Sequence, residues 1–195
     1  MSRFIERFGA LFLSLSVTVA FLLGLIEGEP PDVSEKTADE VVAHWVDLGD
    51  GAWLGVWLGM IVGLLALFGG LWVANAPGAA VGTIFIAVGI SVDTASRVAL
   101  LDAAEHMPVA AVVAVSAMLQ YLWLPFLFGM VLMTVSVSAS AKQTGLIPSW
   151  LAWIGYATAL ILVIPHPISF VGFMGFVPWM VVAGIVMFRR TSANA

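Results

Sequence analysis

The chain has 195 residues, of which 62% are hydrophobic and only 10% charged, with no cysteine and a net charge of −5. Soluble domains are about half apolar and about a quarter charged, so a water-soluble globule is excluded and a single-domain polytopic membrane protein over 1–195 is expected. The missing thiols exclude disulfides, thiolate metal sites and a cysteine nucleophile, and the lack of a basic patch argues against nucleic acid as a partner.

The apolar residues fall in blocks of about 20, the length that crosses a bilayer as a helix. Arg3 and Arg7 precede the first block, 8–26. Such a start resembles a signal peptide. Here, however, the run is long enough to span, and Glu27-Gly-Glu-Pro-Pro-Asp32 follows it instead of a small-residue cleavage site. It is read as a retained first helix. Residues 27–51 form an acidic outer loop. Within it, Thr37-Ala-Asp-Glu40 fits a capping box, in which hydroxyl and carboxylate each take one orphan amide. Val41, Val42, Trp45 and Leu48 then recur at helical spacing. This predicts a short amphipathic helix resting its apolar side on the membrane surface or the bundle.

The second span is 52–73. Gly51, Gly55, Gly59 and Gly63 recur every fourth residue, a ridge along which helix backbones approach closely. Asn75-Ala-Pro-Gly78 reads as a turn. The third span, 80–101, contains Asp93 and Arg97. The fourth block, 109–137, exceeds a span and holds Pro125, which removes an amide and frees the carbonyl of Tyr121. Ser136, Ser138 and Ser140 read as polar relief at an interface. Gly145-Leu-Ile-Pro-Ser-Trp150 reads as a turn with Pro148 at the first helical position. The fifth span is 149–164, and Pro165-His-Pro167 makes a tight corner. The sixth span, 168–188, is stopped by Arg189 and Arg190.

These blocks predict an all-α fold: a six-span transmembrane helix bundle with one short amphipathic outer helix. Six spans place both ends on one side, together with Arg3, Arg7, Lys142, Arg189 and Arg190. Only Lys36 lies opposite. The positive-inside rule then puts both termini in the cytoplasm of a cell membrane and the acidic loop outside. No internal repeat of the inverted-transporter kind is visible.

Two stretches carry a resemblance. They are His44-Trp-Val-Asp-Leu-Gly-Asp-Gly-Ala-Trp-Leu-Gly55 and Gly145-Leu-Ile-Pro-Ser-Trp-Leu-Ala-Trp-Ile-Gly155. Both resemble a broad group of small six-helix bacterial integral membrane proteins without an assigned activity. In that group a polar outer loop precedes helix two, and a Gly-x-x-Pro-x-Trp turn opens helix five. The resemblance implies the fold and carries no functional residues with it.

The chemistry centres on Asp93 and Arg97, which stand four apart on one helix face and can pair. A charge at membrane depth faces a protein interior, a partner or water. Counted from the outer helix ends at 1.5 Å per residue, Asp93 lies roughly 12 Å deep and Gln120 roughly 16 Å deep. A polar cluster of Asp93, Arg97, Gln120 and Tyr121 is therefore expected. An alternative reading of the same residues is a satisfied ion pair that fixes helix orientation. His44, His106 and His166 all fall on the outer side and are weak metal candidates, since no spacing ties them to one zinc ion; no metal or cofactor is expected. No His-Glu-x-x-His, Gly-x-Ser-x-Gly or phosphate-loop motif is present, which points away from an enzyme without closing the question.

The leading expectation is a non-enzymatic integral membrane protein binding a small ligand or lipid in an outward-facing polar cavity around Asp93 and Arg97. The alternatives are a small transporter or channel subunit gated near Pro125, and a helix-packing partner of a larger complex or of a second copy through the glycine ridge. The expected partners are the lipid bilayer, a small ligand or lipid, and another copy of the chain.

Overall fold

The computed structural model describes residues 31–48, 76–164 and 168–193, with helical positions scattered between 8 and 22 and between 59 and 69. Side chains at 102, 103, 120, 122, 123, 168–170 and 191–193 fall outside that description. Among the described residues all regular structure is helical. Five continuous helices are α1 (Ala38–Leu48), α2 (Pro77–Ala103), α3 (Val109–Gln143), α4 (Ser149–Val163) and α5 (Ile168–Ala193). Three stretches, Pro77–Leu101, Val109–Gln143 and Val171–Arg190, are long and apolar enough to cross a membrane. The chain is accordingly a membrane protein.

Local chemistry sets the helix ends. Thr37 N–H donates to Glu40 Oε2 at 2.8 Å, and Glu40 N–H donates to Thr37 Oγ1 at 3.4 Å. This is the expected capping box, and α1 begins directly after Thr37. α2 starts at Pro77, three residues before the expected span, because proline at a first helical position gives up no needed amide. The expected turn at Pro77–Gly78 is thus already helix. α3 runs to Gln143, six residues past the apolar block, and passes through Pro125 as one helix of 35 residues. Hydropathy marks where lipid contact ends, not where backbone hydrogen bonding ends. α3 stops at a glycine turn, where Gly145 takes φ +71° and its N–H donates to Lys142 O at 3.2 Å. Pro148 is the cap residue of α4, with φ −69° and ψ 150°, one position before the expected first helical one. α5 likewise continues past the expected stop at the two arginines, to Ala193.

The helices alternate in direction. α2 and α3 form an antiparallel hairpin along a seam spaced three and four: Ala79, Gly82, Ile86, Gly89, Asp93, Ser96 and Leu100 on α2. This is the spacing that keeps one stripe facing a neighbouring helix. At Gly82 an added Cβ would lie 2.6 Å from Gly129 O and 2.7 Å from Met133 N, and one at Gly129 would lie 2.6 Å from Gly82 O. The two backbones therefore touch, as small residues allow in lipid. α4 returns against α3 with Ser138 beside Gly155, and α5 returns against α4 with Gly172 against the backbone of Leu162. Trp179 Nε1–H donates to Leu151 O at 2.8 Å across that pair. Near the chain start, Phe8 stacks on Phe188 at 5.8 Å, and Ser14 Oγ donates to Met180 O at 3.0 Å, antiparallel to α5.

Two apolar clusters result. The larger joins Ile86, Met130, Met133, Leu151, Phe176 and Met180 with their neighbours across α2 to α5. The smaller joins Val41, Trp45, Leu100, Ala104, Val112 and Leu119 where α1 docks on the hairpin. Trp45 Nε1–H donates to the buried Ser116 hydroxyl at 2.8 Å, so the indole buries its bulk without stranding its polar edge. The molecule thus has an α1 end and an opposite end marked by Lys142, Gly145 and Arg190, whose guanidinium donates to Gly145 O.

Of the three serines near the end of α3, Ser138 is fully buried with no hydrogen-bond partner for its hydroxyl, and the Ser136 hydroxyl lies in the space beside Gly78.

Candidate functional site

Asp93 and Arg97 pair as their spacing requires, with Arg97 Nε donating to Asp93 Oδ2 at 2.9 Å. Asp93 occupies a position of the α2–α3 seam whose other members are all buried. Its side chain keeps 34% of its surface and Arg97 keeps 17%. The pair sits between the clusters: Ile90 and Phe126 edge the larger one, and Leu100 and Leu119 belong to the smaller. It fills the junction where the apolar packing is interrupted. An ion pair in such a place is stabilising only while both partners remain.

The other expected members of the cluster lie at the same height. Gly89 faces Phe126 across the seam, with its virtual Cβ 3.3 Å from Phe126 Cβ. One turn further along antiparallel helices brings Asp93 level with the stretch of α3 holding Gln120 and Tyr121. Tyr121, however, is 67% exposed, so its ring stands on the surface of α3. The side chain of Gln120 lies outside the described residues. Only the ion pair of the four-residue cluster is therefore seen assembled.

A groove that the sequence did not signal lies at the height of the pair but on another face of α2, and neither Asp93 nor Arg97 lines it. Gly59, Gly63, Leu64, Ser91, Thr94, Ala95 and Val98 line an open space of about 630 Å³ between the 59–64 positions and α2. Its shape follows from two glycines. A Cβ at Gly59 would lie 2.7 Å from Thr94 Oγ1, whereas one at Gly63 would meet nothing within 4 Å. The helical positions touch α2 at Gly59 and part from it one turn later. Of the expected ridge, Gly59 lies against Thr94 of the same chain and Gly63 meets nothing within 4 Å; Gly51 and Gly55 lie outside the described residues. The groove and the pair share one stretch of α2, Ser91–Val98. The spacing of the glycines was legible, but the splay depends on Thr94 and has no local signature.

α1 lies over the pair's end of the hairpin. His44 is half-buried, with its ring edge-on to Trp45 at 5.3 Å. Burial pushes its pKa below 6.5, the charges of Lys36 and Arg97 push it the same way, and Asp47 opposes them. Arg97 is therefore felt electrostatically by α1. Glu40 has its pKa lowered below 4.5, first by the Thr37 backbone N–H, then by the Thr37 hydroxyl, with help from Lys36. The metal reading gains no support. His106 is exposed, His166 lies outside the described residues, and among the described residues no three metal-binding side chains gather.

In comparisons with family models, curated proteins and solved structures, the chain matches none.

Proposed function

We propose that this chain is a six-span membrane protein that binds a single lipid-like amphiphile, with its headgroup at Asp93 and Arg97 and its chain passing around α2 to the groove at the same height. The observation that carries the reading is the partly exposed ion pair set at a break in the apolar packing, with an apolar groove at the same height on another face of α2. An acid and a base side by side offer both signs to a ligand. A zwitterionic headgroup such as phosphatidylethanolamine answers both, its ammonium to Asp93 and its phosphate to Arg97. The alternating helix directions, with Phe8 beside Phe188 and Gly59 beside Thr94, support six spans. The bases Lys142, Arg189 and Arg190 at one end, with Arg3 and Arg7 in the sequence, support cytoplasmic termini and an outward-facing pair beneath α1. The partner-helix alternative loses ground because Gly59 already packs on Thr94 of the same chain.

Native mass spectrometry of the purified protein with added phosphatidylethanolamine tests this. Retained lipid on the wild type, lost in both Asp93→Asn/Arg97→Gln and Gly63→Leu, is the expected result. The leucine would fill the open side of the groove without meeting α2. Equal retention in all three proteins would leave the pair a purely structural strut.

A further inference from the structure

We infer that the Lys142 end carries a second lipid site of different chemistry, one for the headgroup of an anionic phospholipid, formed by Lys142 and Arg190 with the Trp150/Trp153 face of α4. The Lys142 Nζ stands 4.9 Å from the centre of the Trp153 ring. The ring face holds the ammonium in place, and the rest of the side chain is exposed. Trp153 is itself steadied by Tyr156, edge-on at 5.5 Å. Arg190 donates to Gly145 O, and Gly145 N–H donates to Lys142 O, so the two cations flank a single turn. Exposed Arg189 adds a third positive charge at this end.

Nothing within these helices neutralises them: after Glu105 the sequence contains no Asp or Glu, so α3, α4 and α5 carry only positive charge. Trp150 and Trp153 are 58% and 62% exposed, and Ile154 and Leu160 continue the same apolar face of α4. Indole rings settle at headgroup level, which puts the cations beside lipid phosphates and the apolar face beside an acyl chain. Clustered bases at such a level draw anionic lipid.

The test compares phosphatidylglycerol with phosphatidylcholine of matched chains, bound to the purified full-length protein. Wild type should prefer phosphatidylglycerol. Lys142→Gln and Arg189→Gln should each cut that preference about fivefold, the usual effect of one surface base near a membrane. Lys142→Arg should retain it, and so should Lys36→Gln, which removes an exposed base at the opposite end. Equal binding of the two lipids, or a preference untouched by Lys142→Gln, would overturn the site. Loss of the preference in Lys36→Gln would make it an effect of net charge and overturn it as well. Displacement by inorganic phosphate as readily as by phosphatidylglycerol would make it a simple anion site, again overturning the proposal.

Discussion

Toward the Lys142 end, the α2–α3 seam closes backbone on backbone, with Gly82 and Gly129 leaving no room for even a methyl group. Toward α1, the same three-and-four spacing continues through Asp93, Ser96 and Leu100, where Leu100 shares a cluster with Val112 and Leu119 and α1 adds an indole bonded to Ser116. One half buries hydroxyls such as Thr83, Thr134 and Ser138 but no charge. The other half admits a charged pair. The difference comes from residue size and polarity, not from a change of helix geometry. It separates positions that hold the bundle together from positions that can meet a ligand.

The sharpest way to break the contrast is Gly82→Val. Overpacking costs about 1–3 kcal/mol in ordinary cores, and here the new carbon meets two backbone atoms that cannot yield, so the upper end is expected. A thermal melt in detergent should show it, while Gly63→Ala, with nothing within 4 Å, should melt like wild type. If both behave alike, the seam is not closed by backbone contact.

Next comes Asp93→Asn. Removing one partner of a fully buried pair costs about 3–5 kcal/mol. The residual exposure of these side chains reduces that, by screening, to roughly 2 kcal/mol. The double variant Asp93→Asn/Arg97→Gln should recover at least half, read in the same melt. A double variant no more stable than the single one would mean that the two charges do not depend on each other.

Ser116→Ala should be milder. It strands the Trp45 N–H inside the smaller cluster at a cost of roughly 1–2 kcal/mol. Because Ser116 accepts the hydrogen bond that ties Trp45 of α1 to α3, amide exchange should rise most in Ala38–Leu48, with the Gly82–Gly129 region unchanged. Exchange that rises equally in both regions would show the halves to be one cooperative unit.

The smallest effect is pH. Docked α1 holds His44 with a lowered pKa, so the released helix binds the extra proton more readily and docking weakens as pH falls below 6.5. Glu40, also lowered, adds a second loss as pH falls below 4.5 and the capping carboxylate protonates. Amide exchange of α1 should therefore rise in two steps on acidification, and His44→Gln should remove the first. A single step in wild type would leave the imidazole out of the docking equilibrium.

What could be read in advance divides along the same line. The capping box at Thr37 and Glu40, the Val41/Trp45 face and the Asp93–Arg97 pair are all contacts within four residues, and their spacing alone predicted them. Gly82 against Gly129, Ser138 against Gly155 and Thr94 against Gly59 join residues on different helices, 17 to 47 positions apart. Each is specified by which helices become neighbours, and nothing local encodes that. Tyr121 shows the intermediate case: helix spacing put it on the same helix stretch as Gln120, but did not give the side of α3 on which its exposed ring lies. The extension of α3 to Gln143 was hidden for another reason, since apolar content ceases to report on a helix once it leaves the lipid.

One length described above has a mechanical consequence. α4 has 15 residues, roughly 22 Å at 1.5 Å per residue, against a hydrocarbon layer of about 30 Å. In the proposed six-span arrangement, lipids bordering its exposed Trp150–Leu160 face would have to shorten, tilting or compressing their tails to meet it. The protein would then sit in a shallow dimple on that flank and favour thin bilayers. Short-chain lipids should accordingly gather around α4, and copies of the protein should draw together to share one deformation.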